Sequence, residues 1–172
     1  PRPRARHQSR RAWLTRTTVI GRIKAVLLCA TVHRVVCEFA GMAFRATLTR
    51  MVRSDADPVN ALFYTALPGT APDNPDWVRR KINVVMRYHI SSYRKGRELV
   101  ASGAELDEGR GVLPIDMAPH GGCFPIHIKG TGIVGTVTVS GIPQRQDHGF
   151  VVECLCEYLG VDAQELALPP EA

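Results

Sequence analysis

The residues best placed to do chemistry lie in the second half of the chain. They are His120-Gly121-Gly122-Cys123, then His127, and further on Gln146-Asp147-His148. A histidine beside two glycines can offer its imidazole to a metal or a proton while backbone amides approach the same space. The glycines themselves mark a backbone that needs positive φ or lets another group come close. His120 therefore has two readings: a ligand or proton carrier, or a ring that bonds a carbonyl and fixes its own turn. His148, next to Asp147 at the start of the last helix, is either a second site residue or an ordinary surface histidine, with Asp147 capping amides. Upstream, Arg79-Arg80-Lys81 follow Trp77 in the first turns of a helix, a setting suited to a carboxylate or propionate. Ion pairs with neighbouring subunits would use the same three residues. His89 falls on an apolar helical stripe and reads as a core or interface residue.

Other patterns carry less. Gly130-x-Gly132-x-x-Gly135 matches a dinucleotide fingerprint in letters, but that mechanism needs a helix N-terminus after the glycines. Ile133 to Val139 is β-branched and reads as a strand. His120, Cys123 and His127 resemble a metal cluster on paper. On an extended strand, however, positions 123 and 127 lie roughly 13 Å apart, too far to share an ion whose bonds are near 2 Å. Cys154 and Cys156 are two apart on a helix and point to different sides. Cys123 has no base beside it in sequence, as a nucleophilic thiol requires.

These residues need elements to hold them. Ala61 to Leu67 reads as a short strand ended by Pro68-Gly69. Asn74, Pro75 and Asp76 open a long helix, with Asn74 as its cap. Val78, Ile82, Val85 and His89 form its stripe, Met86, Ile90 and Tyr93 lie beside it, and Ser102-Gly103 ends it. A loop with one short helical turn follows to Pro119. Cys123 to Lys129 alternates, with Phe124, Ile126 and Ile128 on one face. Gly130-Thr131-Gly132 turns the chain, and Ile133 to Ser140 returns antiparallel. The last helix starts near Pro143, buries Phe150, Val151, Leu155 and Leu159, and stops at Gly160. Residues 18–52 read as one or two helices, because Val19, Ile23, Val26, Leu27, Ala30 and Val35 recur at helical spacing. The sum is an α+β arrangement, an antiparallel sheet with helices packed on it.

Composition bounds the rest. A chain of 172 residues is long enough for one real core. Its net charge of +6 is uneven: twelve bases and one acid give residues 1–53 a charge of +11, while ten bases and fifteen acids give the remainder −5. A basic arm can contact phosphates, but out-of-frame translation of GC-rich DNA produces the same excess of Arg and Ala. The sequence thus gives no independent sign of a nucleic-acid partner. Five cysteines without framework spacing favour a reducing, cytoplasmic setting over a disulfide scaffold. No apolar run reaches 18 residues, so no membrane span is expected. Ser9-Arg10-Arg11-Ala12-Trp13-Leu14 has the look of a twin-arginine export signal, which Arg22 and Lys24 then interrupt.

The succession His120–Ile126, Gly135–Gly141 and Gln146-Asp147-His148 resembles the haem-degrading-domain superfamily, whose members are HbpS- and GlcG-like. Leu67-Pro68-Gly69-Thr70, Pro72-Asp73-Asn74, Trp77, Arg80-Lys81 and Ser91-Ser92-Tyr93 bring it closest to the branch known as uncharacterised protein family 0303. The resemblance covers about residues 60–160 and divides the chain into a basic helical segment (1–59), the domain (60–160) and a tail (161–172). It implies a profilin-like antiparallel sheet with helices, in subunits assembled as homo-oligomeric rings. The opening strand typical of the family is not found upstream of Leu62-Phe63-Tyr64, which points to a mis-called frame or a truncated start. The resemblance also implies a tetrapyrrole ligand such as haem. His120 would hold its iron, Arg80 and Lys81 would lie near the propionates, and Gly121, Gly122 and His148 would complete the site. No residue set that would perform turnover is visible, so a binding module is favoured over an enzyme. A cofactor-free oligomeric scaffold and an enzyme using the same cleft remain as alternatives.

Overall fold

The computed structural model describes residues 45–51, 59–128 and 132–170. Four strands, β1 (Arg45–Met51), β2 (Val59–Ala66), β3 (Cys123–Ile128) and β4 (Gly132–Ser140), form one sheet in the order β2-β1-β4-β3. Every pairing in it is antiparallel. Among the described residues three helices accompany the sheet: α1 (Asn74–Tyr88), α2 (Ser92–Ser102) and α3 (Gln144–Leu159).

β1 corrects two expectations. The stretch 45–51 was expected to be helical and the opening strand to be absent; the strand is present and lies at the centre of the sheet. One edge of it pairs with β2 and the other with β4, so it joins the two hairpins into one surface. Its register sets Ala46 opposite Val139 and Leu48 opposite Val137. Arg-Ala-Thr-Leu-Thr-Arg-Met has the period of two and the β-branched threonines that suit a strand. The helical spacing upstream, carried on too far, conceals that pattern. Residues 1–44 and 52–58, with the basic arm and export-like motif, lie outside the described residues.

The helix expected to run unbroken from Asn74 to about Ala101 is two helices. His89 adopts φ 59° and closes α1, its N–H donating to Val85 O at 2.8 Å. Ser91 then opens α2, its hydroxyl accepting from Arg94 N at 3.2 Å. The apolar spacing that continues through Ile90 to Tyr93 hides this break. Asn74 is not the cap of α1 either: Asp73 holds that position, and the buried Asn74 amide donates to Ser140 O at 3.4 Å. The loop before β3 contains two short 3-10 turns, Glu108–Arg110 and Pro114–Asp116, rather than one.

Consecutive residues of β3 serve different helices. Cys123 packs with Val78, Ile82 and Val85 of α1, while the ring of Phe124 lies against His148 of α3. A strand sends neighbouring side chains to opposite faces, which is how helices come to cover both. In α3 Phe150, Val151, Cys154 and Cys156 are buried. Leu155 and Leu159, expected inside, are only half-buried.

Candidate functional site

α1 presents three consecutive cations to three different surroundings. Arg79 donates to the Asp76 carboxylate at 2.8 and 3.0 Å and to Asp116 at 2.8 Å, all on the exposed side. Those two partners, Asp116 first, raise its pKa. Lys81 is buried, with a side chain 3% exposed. Its Nζ donates to Asp147 Oδ2 at 2.7 Å and to Val139 O at 3.1 Å. Arg80 is intermediate. Its Nη2 donates to Pro114 O at 3.3 Å and Met117 O at 3.2 Å, while its buried Nε has no partner among the described residues.

Arg80 and His120 meet on Trp77. The guanidinium carbon of Arg80 lies 5.1 Å from the centre of the indole. The His120 ring stands edge-on to it, with centroids 5.3 Å apart and planes at 80°. The indole N–H is tied to the Asp73 carboxylate at 3.2 Å. His120 is exposed, yet its pKa is held below the ordinary histidine value, by partial burial first and then by the charges of Lys81 and Arg80. The imidazole is therefore neutral at neutral pH, the form that can donate a lone pair.

The two glycines after His120 are explained by the chain itself. A β-carbon on Gly121 would sit 1.8 Å from Gln144 O, and one on Gly122 would sit 2.3 Å from Val139 O. Gly122 also has φ +114°. The group that comes close at these positions is the start of α3 and the end of β4. Gly122 O accepts from Val139 N at 2.7 Å.

His148, expected either beside a cofactor or on the surface, is 2% exposed. It is stacked between Tyr93 at 4.5 Å and Phe124 at 4.8 Å. Neither ring nitrogen has a partner among the described residues. Burial, with a smaller contribution from the Arg145 charge, pushes its pKa down to about 4. Asp147 accepts from Ile142 N at 3.4 Å as well as from Lys81. Burial raises its pKa against the pull of that lysine. The Cys123 thiol accepts from Thr138 Oγ1 at 3.0 Å, and burial lifts its pKa to about 12. A thiol in that state is no nucleophile. His89 is an exposed cap rather than a member of the α1 stripe. In the fingerprint-like run, Gly132 and Gly135 belong to β4, so a strand follows the glycines where the dinucleotide mechanism needs a helix.

Arg80 and His120, both expected at the site, meet on Trp77, whereas the Lys81–Asp147 pair was not expected. A signal for that pair existed. Lys81 falls three residues after Val78 and four before Val85, so it shares the apolar stripe, and a lysine there needs a buried acid.

Comparison with known proteins places the chain. Residues 42–156 match the family described as haem degrading protein HbpS-like. The chain belongs to this family. Among curated relatives, a UPF0303 protein of Acidobacterium capsulatum is 54% identical over 108 residues, covering 63% of this chain and 66% of the relative. One from Rhizobium etli is 53% identical over 109 residues, again covering 63% and 66%. The matched part thus spans slightly less than two thirds of these relatives. Among solved structures, the Ybr137w protein aligns with TM-score 0.70 at 23% identity, over 84% of this chain and 82% of that one. HbpS aligns at 0.58 and 17%, over 86% and 94%. A PduOC:heme complex aligns at 0.62 and 12%, over 84% and 98%. These structural likenesses establish the fold: an antiparallel sheet with helices of the HbpS kind. Among the described residues no helix is long and apolar enough to cross a membrane.

Proposed function

We propose that this protein is a small-molecule binding module whose ligand is haem or a related tetrapyrrole, held at the corner formed by Trp77, Arg80 and His120. The observation that carries the reading is the pairing, on one indole, of an exposed neutral imidazole with a half-buried guanidinium. Iron takes an unprotonated imidazole as axial ligand. A propionate is a carboxylate, and a guanidinium's fork of donors matches it. The family description, and the haem in the complex of one structural neighbour, support this choice of ligand. Bound haem would supply the redox chemistry of its iron; the chain supplies the imidazole, the cation and an aromatic edge. In this reading Gly121, Gly122 and Lys81 shape the site from behind, and His148 belongs to the dry interior. A homo-oligomer in the cytoplasm is part of the same proposal.

A cofactor-free interaction protein is the second reading. It is favoured by Leu113 and Ile115, which are 52% and 72% exposed on either side of Pro114. Titration of the purified protein with haemin, followed by absorbance, separates the two. A Soret shift that disappears in His120→Ala supports the first, and the absence of any shift with wild type supports the second.

A further inference from the structure

The buried Lys81–Asp147 pair lies outside the corner proposed to meet the ligand, and the stability of the fold does not by itself call for it. A desolvated ion pair is often no more stabilising than a well-packed apolar pair of the same volume. Its location is informative. The segment from Ala118 to Gly122 is bonded to Arg80 of α1 at one end and backed at the other by the next residue of that helix, Lys81. At one end Ala118 N donates to Arg80 O at 3.1 Å, and Arg80 Nη2 reaches Met117 O. At the other end, Lys81 Nζ would be 3.0 Å and Asp147 Cβ 2.9 Å from a β-carbon on Gly122. Lys81 also binds Val139 O, while Val139 N binds Gly122 O. His120 sits between these two attachments, free to face solvent but unable to shift along α1.

We infer that Lys81 and Asp147 are positioning residues: their buried contact sets the distance and angle of His120 relative to Trp77 and Arg80. As a claim about ligand binding, this rests on the reading of that corner as the haem site. Removing the pair leaves the Arg80 end of the segment and the Val139 N–Gly122 O and Gly121 N–Gln144 Oε1 bonds in place, but takes away the side chains packed behind Gly122 and lets the turn re-settle. The imidazole then turns away from the indole and no longer shares a ligand with Arg80.

The test uses the full chain and two variants. Lys81→Met/Asp147→Leu replaces the pair with apolar volume, and Asp147→Asn keeps the shape and an oxygen acceptor for Lys81. Circular dichroism first establishes which variants fold. In the ligand-free protein, the ring-proton resonances of His120 report its place beside Trp77 through the indole ring current. The expected result is that these resonances move toward free-histidine positions in folded Lys81→Met/Asp147→Leu and stay near wild type in Asp147→Asn, which keeps the contact. Haemin affinity should fall about tenfold or more, as loss of groups that orient a metal ligand commonly causes. His120 resonances unchanged from wild type in folded Lys81→Met/Asp147→Leu, or shifted equally in both variants, overturn the inference. So does failure of both variants to fold, because the pair would then serve the fold and not the placing of His120. If wild type shows no haemin binding, the haem reading fails alone, since the ring-current result is obtained without ligand.

Discussion

Two histidines and two cations of this chain invite comparison in pairs. His120 is exposed and Arg80 half-buried where they meet on Trp77, whereas His148 and Lys81 are each 2% exposed. Arg80 and Lys81 are adjacent in sequence, and the turn that carries His120 contacts the helix that carries His148. Residue type does not separate the members of each pair. Their difference is set by which side of the Gly121-Gly122 turn each side chain occupies. At the corner the guanidinium is only half-buried and rests on backbone carbonyls, with no acid required to neutralise it. In the interior every charge needs a partner, and a histidine is kept neutral by desolvation.

The contrast can be broken most forcefully at the adjacent cations. Lys81→Met strands Asp147 without its partner and should cost about 3–5 kcal/mol in chemical denaturation. Arg80→Met, one residue away, removes only half-exposed hydrogen bonds and should cost about 1 kcal/mol. Equal losses at the two positions would abolish the distinction between corner and interior. Gly121→Ala drives a β-carbon into Gln144 O and should cost about 3 kcal/mol, measurable as a lowered urea midpoint.

The histidines sharpen the comparison through pH. The pKa of His148 falls from 6.5 to about 4 on folding. Above pH 6.5 both folded and unfolded states hold it neutral. As pH drops below that value the unfolded chain takes a proton that the folded chain refuses. Stability is therefore lost between about pH 6.5 and 4, by roughly 3 kcal/mol in total. Asp147, with its raised pKa, contributes with the opposite sign toward the acid end and so softens the slope there. His148→Phe, stacked between Tyr93 and Phe124, should flatten that slope in pH-dependent melting. The smallest effect is expected at the corner: His120→Ala should change stability by about 0.5 kcal/mol or less.

Much of the frame was legible in the residues. The Cys123–Ile128 and Gly132–Ser140 hairpin follows from alternation and glycine turns, and α3 from its apolar spacing and the Gly160 stop. β1 was not legible, because seven residues of strand pattern adjoin a longer stretch with helical spacing. The break at His89 was hidden for a related reason. Apolar period continues across it, and a non-glycine residue in the left-handed region leaves little mark in sequence. At the site, Arg80 and His120 were readable as chemistry-bearing residues beside an aromatic and a glycine pair. Their division from Lys81 and His148 was not, since it depends on long-range packing. Only the placement of Lys81 on the Val78, Ile82, Val85 stripe hinted at burial.

The most direct measurement is a haemin titration of three proteins side by side: wild type, His120→Ala and His148→Phe. The account predicts a shifted Soret band with wild type, the same band with His148→Phe, and its loss with His120→Ala. A band that survives in His120→Ala, or that vanishes only in His148→Phe, would contradict the assignment of the open corner as the ligand face.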